Sequence, residues 1–108
     1  SIRPIGVRGV LRIKALQERI RVEGGSTALY NDLGLLYIRA GMYREAKAEY
    51  RRSAGLGSVS AMVNLGNLFM LERNYKEALD WFGKALQVQP DSAPARAGYD
   101  KAKMELQD

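Results

Sequence analysis

Two stretches of this chain carry the same landmarks at the same offsets, 32 positions apart. Leu33-Gly34, Tyr37, Tyr43, Glu45-Ala46 and Tyr50 in the first correspond to Leu65-Gly66, Phe69, Tyr75, Glu77-Ala78 and Phe82 in the second. A fixed internal period of this size marks a protein built by stacking one structural unit on the next. A single unit cannot bury its apolar face alone, so the fold has to be a row of neighbours. That constraint also bears on function. A row of repeated units presents surface to other molecules and seldom assembles a reaction centre.

The residues between the landmarks say what the unit is. Residues 1–7, with Pro4 and Gly6, form a lead-in without periodicity. From Arg8 onward, Leu11, Ala15, Leu16 and Ile20 recur at close to helical spacing and suggest one apolar stripe. Gly24-Gly25 stops that helix, and Ser26 or Thr27 offers a hydroxyl to cap the next. Leu29, Tyr30, Leu33, Leu36 and Tyr37 mark a helix over about 27–40, after which Gly41 supplies a left-handed turn residue. A partner helix over about 43–54 buries Ala46, Tyr50 and Ala54. Gly55 and Gly57 end it, and Ser58 caps the one that follows. The second copy repeats the scheme with helices over about 59–71 and 75–88. Its turn carries Glu72-Arg73-Asn74, of which Asn74 best tolerates a left-handed conformation. Pro90 blocks continuation, and Asp91 or Ser92 caps a last helix over about 93–106. The expected fold is all-α, about six helices with short turns and no strand pattern.

Composition closes off several classes of chemistry. The chain has 108 residues, enough for one domain, with 46% apolar and 27% charged side chains. Cysteine is absent, which removes disulfides, thiolate metal sites and cysteine nucleophiles. Histidine is absent too, and with it the commonest general base and metal ligand. Aspartate and glutamate are scattered rather than paired for acid–base work, and no glycine loop has the context needed to cradle a phosphate. No catalytic residue, metal site or cofactor is therefore expected. No apolar run is long enough for a membrane span. No signal peptide is visible, which favours the cytoplasm, and a chain beginning at Ser1 is expected to be trimmed from a longer protein. The net charge of +5 is unevenly spread. Residues 1–25 carry +4, residues 26–58 +2, residues 59–90 none and residues 91–108 −1.

With the landmarks placed, the chain resembles the tetratricopeptide repeat family. The Leu-Gly pair, the aromatic three residues on, the turn Gly, the following aromatic, Glu-Ala and the second-helix aromatic all occur in both copies, save the turn Gly in the second. The run Lys84-Ala85-Leu86-Gln87-Val88-Gln89-Pro90-Asp91 matches the family's closing segment. The resemblance implies a right-handed superhelix of antiparallel helix pairs. On that reading residues 8–25 are a flanking helix, 27–58 the first repeat, 59–92 the second and 93–108 a capping helix. Setting Leu16 and Ile20 against Tyr50 and Ala54 makes the flanking helix the second half of a degenerate repeat. Small Gly34, Gly66, Ala46 and Ala78 would let paired helices approach, while Tyr37, Tyr43, Tyr50, Phe69, Tyr75 and Phe82 would fill the space between successive pairs. The first repeat departs from the pattern. It is two residues short of the family period and ends on Ser53-Ala54-Gly55-Leu56-Gly57-Ser58 without the closing proline, a junction similar to Sel1-like repeats.

The resemblance also implies a function, the binding of a protein or peptide segment in a concave groove lined by the first helix of each pair. Carried over position by position, the groove residues are Asn31, Leu35, Ile38 and Arg39, then Val63, Asn64, Asn67, Met70 and Leu71, with Lys101 from the last helix. Leu35, Ile38, Val63, Met70 and Leu71 are not required by the repeat landmarks, and leftover apolar groups on one face suggest a binding patch. Co-chaperone members of the family grip acidic chaperone tails through a five-residue clamp of Lys, Asn and Arg. Here only Asn64 matches, while Asn31, Leu35, Pro94 and Gly98 occupy the other places, so that specialisation is not expected. Self-association, head to tail between the positive and negative ends, is an alternative. Nucleic-acid binding through residues 3–21 is a weaker one, since no aromatics are interleaved with that basic run.

Overall fold

Serine decides where three of the helices begin. The side-chain oxygens of Ser26, Ser58 and Ser92 accept hydrogen bonds from the backbone N–H of Leu29, Ala61 and Ala95 at 3.2, 3.2 and 3.3 Å. Each satisfies one of the donors a helix start leaves open, a contribution of about 1 kcal/mol. The structure, a computed structural model, describes residues 5–107. Arg3 of the basic run, Pro4 of the lead-in and Asp108 of the last segment lie outside the described residues. Six helices and no strand occur among them: α1 (Val7–Glu23), α2 (Thr27–Arg39), α3 (Tyr43–Gly55), α4 (Val59–Leu71), α5 (Tyr75–Val88) and α6 (Ala93–Leu106). The all-α, six-helix expectation holds.

The helices fall into two compact units, one ending at Leu56 and the other starting at Gly57. In the first, α2 packs along α3 and α1 lies on α2. Its core comprises Leu29, Leu33, Tyr37, Ala46, Tyr50 and Ala54. Gly34 is the close-approach point: a Cβ there would lie 2.9 Å from the Tyr50 ring. Buried Ser53 fastens the pair further, its hydroxyl donating to the Thr27 carbonyl at 3.3 Å. α1 corrects the sequence reading. Its buried residue is Ile13, flanked by half-buried Gly9, Leu16 and Ile20, while Leu11 and Ala15 face solvent. Positions 9, 13, 16 and 20 keep the 3.6-residue period, whereas a stripe through 11, 15, 16 and 20 drifts off it. Gln17 Nε2 donates to the Tyr37 hydroxyl at 3.0 Å and ties α1 to α2.

In the second unit α4 packs along α5, and α6 closes against both. Leu65, Phe69, Ala78, Phe82, Ala85, Ala95 and Ala102 are its core. The Phe82 ring meets two glycines rather than one. A Cβ on Gly66 would lie 2.6 Å from the ring, and a Cβ on Gly98 of α6 2.3 Å from it. Tyr50 thus fills the contact within its helix pair, and Phe82 fills both the contact within its pair and the space between that pair and α6. Tyr43 is no core residue at all, being 43% exposed, and Tyr75 is half-buried.

The turns inside the two pairs show one further correction. Gly41 takes the expected left-handed conformation, with φ 73°. In the second repeat the left-handed residue is Arg73, φ 59°, not Asn74. Asn74 instead caps α5, its Oδ1 accepting from Glu77 N at 3.4 Å. Both roles suit asparagine, and the helix start has the stronger claim because an uncapped N–H is left behind otherwise.

Candidate functional site

On α2, Leu35 is 43% exposed, Arg39 is exposed, and Asn31 and Ile38 are half-buried. Leu35 and Arg39 open onto a cleft of about 360 Å³ between α2 and α1. α2 adds Asp32 and Leu36 to its wall; α1 supplies Arg12, Leu16 and Arg19. A second recess of about 240 Å³ shares Arg12, Leu36 and Arg39 with the first and extends it toward Ile5 and Gly9. The two form one groove on a leucine floor. Of the α2 residues singled out from the sequence, Leu35 and Arg39 line it and Asn31 and Ile38 do not; its α1 wall was not foreseen. The spacing of Arg12, Leu16 and Arg19, one per turn on a single face, was the available signal.

The charges along this groove are not equivalent. Arg19 donates through Nε to Glu23 at 3.1 Å, and that bond, with the charges of Glu23 and Asp32, holds its guanidinium pKa above the usual value. Glu23 is correspondingly lowered, first by the same hydrogen bond. Arg21 and Glu18 form a similar exposed pair, Glu18 lowered and Arg21 raised by their bond. Arg12 and Arg39 make no ion pair among the described residues.

In the second unit the expected residues differ widely in exposure. Val63 is 9% exposed and belongs to the core, so it offers a partner little area, a correction to its placing on an open face. With half-buried Asn64 it edges a recess of about 300 Å³ whose far side is Asp91 and Pro94 at the start of α6. Asn67 is exposed, Met70 half-buried and Leu71 72% exposed, while Lys101 on α6 is exposed. A wider recess of about 650 Å³ between α5 and α6, beside Gly83, was not foreseen from sequence. Its cations are already engaged: Lys84 lies 4.2 Å above the Trp81 ring, and Arg96 5.7 Å above Tyr99 and 3.8 Å from Asp100.

None of these places looks like a reaction centre. The displaced pKa values belong to the exposed pairs of α1 and to Tyr50, which burial pushes up. No group of three metal-ligating side chains occurs among the described residues, and none of their helices is long and apolar enough to cross a membrane. Comparison with known families agrees with the repeat geometry. One tetratricopeptide repeat family model matches residues 27–56 and another matches residues 59–92. No curated protein matches the chain.

Proposed function

We propose that this chain, which belongs to the tetratricopeptide repeat family, binds another protein through side chains left exposed on the first helix of each repeat, α2 in the first and α4 in the second. Repeats of this family generally mediate protein–protein interaction and typically do so without catalysis. The observation that carries the reading is what the core leaves over. Leu33, Tyr37, Leu65 and Phe69 are buried, yet Leu35 and Leu71 on the same two helices remain 43% and 72% exposed. Apolar side chains kept in water on elements whose cores are already filled favour a partner that covers them. Asn64 and Asn67, on α4 with Leu71, carry both donors and acceptors, the equipment for gripping a peptide backbone.

The test is to capture a partner with the intact chain, identify it, and measure its affinity for Leu35→Glu and Asn64→Ala variants. Leu35→Glu is expected to weaken binding at least about tenfold, since a charge replaces a buried apolar contact. Asn64→Ala is expected to weaken it severalfold. Circular dichroism should show unchanged helicity in both, because neither residue belongs to the core. Unaltered affinity in both variants removes these faces from consideration.

A further inference from the structure

The groove between α1 and α2 is chemically directional, and half of it comes from a helix outside the residues that match the family. Along α1, Arg12, Leu16 and Arg19 follow one another at one-turn spacing; along α2, Asp32, Leu35, Leu36 and Arg39 do the same. Each row runs over eight residues, about 10 Å of helix. The rows run in opposite senses. Arg12 and Arg39 recur together in the adjoining recess, whereas Arg19 feels the charge of Asp32. One end therefore holds two guanidiniums without an acidic partner among the described residues. The other is neutralised by Asp32 and Glu23. Leu16, Leu35 and Leu36 form the apolar floor between them.

We infer that this groove receives an acidic amphipathic protein segment, its apolar side chain on the Leu16–Leu35–Leu36 floor and its carboxylates on Arg12 and Arg39. This inference rests on the protein-binding reading above and names the chemistry of the partner. Two like charges side by side repel, and a carboxylate between them relieves that repulsion while accepting charge-assisted, bidentate bonds from guanidinium groups. A nucleic acid fits less well. No aromatic side chain lines either recess for a base to stack on, the floor is aliphatic, and Asp32 at the far end repels phosphate. A second copy of this chain offers little negative charge to the same place, +5 overall and only −1 over residues 91–108.

The experiment titrates the isotope-labelled chain with three short synthetic peptides at low salt. All carry the same leucine pair, flanked by glutamates, by glutamines or by lysines. The glutamate peptide is expected to shift amide resonances over residues 9–19 and 32–40, and to bind at least about fivefold tighter than the glutamine peptide. An Arg12→Gln, Arg39→Gln double variant is expected to erase that difference. The Arg12→Glu, Arg39→Glu variant should prefer the lysine peptide, a reversal that misfolding cannot mimic. Equal affinity for the glutamate and glutamine peptides overturns the inference. So do shifts confined to other helices, absence of binding by all three peptides, or a single-stranded oligonucleotide that binds the same residues more tightly. The two readings separate on the captured partner. Sensitivity to Leu35→Glu without sensitivity to Arg12→Gln and Arg39→Gln removes the acidic segment and leaves protein binding standing. Indifference to all three removes the acidic segment, and indifference to Asn64→Ala as well removes both.

Discussion

A glycine inside a helix costs about 1 kcal/mol relative to alanine, so each such glycine asks for a reason. Gly34, Gly66 and Gly98 have one, because a methyl group at any of them would press into an aromatic ring at 2.9 Å or less. Gly83 has none of this kind: its added Cβ would sit 3.7 Å from Tyr99, an ordinary contact. The two cases predict opposite signs. Gly83→Ala should raise unfolding free energy by about 0.5–1 kcal/mol. Gly98→Ala should lower it by about 1–3 kcal/mol, as overpacking does. Urea denaturation of the two variants measures both, and a Gly98→Ala protein of unchanged stability would contradict the three-helix contact at Phe82. The first two close-approach glycines were legible in the sequence because a leucine precedes each and an aromatic follows three residues on. Gly98 repeats the same 32-residue offset, but Ala97 and Lys101 stand where those companions should be, so only the packing reveals it.

At the scale of the element, the two repeats solve the turn between their helices with different halves of the same chemistry. The first has the right residue at the left-handed position, Gly41, but Met42 precedes α3 and gives no side-chain cap. The second has a proper cap in Asn74 but strains Arg73 into φ 59°. Combining the better halves should stabilise each unit. Met42→Asn is expected to add about 0.5–2 kcal/mol through the missing cap, and Arg73→Gly about 1 kcal/mol by removing the left-handed penalty. Thermal melts of the single variants decide, and a fall in midpoint for either would show that its turn is held by something other than local backbone chemistry. Helix boundaries came out of the sequence to within about two residues because serine caps and turn glycines are local signals. The side on which α1 docks did not. Leu11, Ile13, Leu16 and Ile20 all look apolar, and which of them is buried depends on α2, which lies beyond α1's own sequence. The α1 wall of the groove was hidden for the same reason.

For the molecule as a whole, the same charges bear differently on folding and on binding. The pairs Arg19–Glu23, Arg21–Glu18 and Arg96–Asp100 each join exposed side chains three or four residues apart on one helix. Such solvent-exposed pairs contribute little and fade with salt. Arg52–Glu49, with its carboxylate buried, is also a link within a single helix. None of these four ties one helix to another; the apolar burial described for each unit, with the neutral Gln17–Tyr37 and Ser53–Thr27 hydrogen bonds, is barely screened by salt. Binding at Arg12 and Arg39 is the reverse case, since neither has an ion-pair partner among the described residues. Raising sodium chloride from about 0.1 M to about 1 M shortens the screening length from about 10 Å to about 3 Å. Across that range unfolding free energy is expected to change by less than about 1 kcal/mol, while affinity for a glutamate-bearing peptide falls at least about fivefold. Denaturation and peptide titration in the same buffers test the contrast. A stability that drops in step with affinity would mean that charge, not burial, holds the helices, and that the guanidiniums of the groove have structural work rather than a vacancy for a partner.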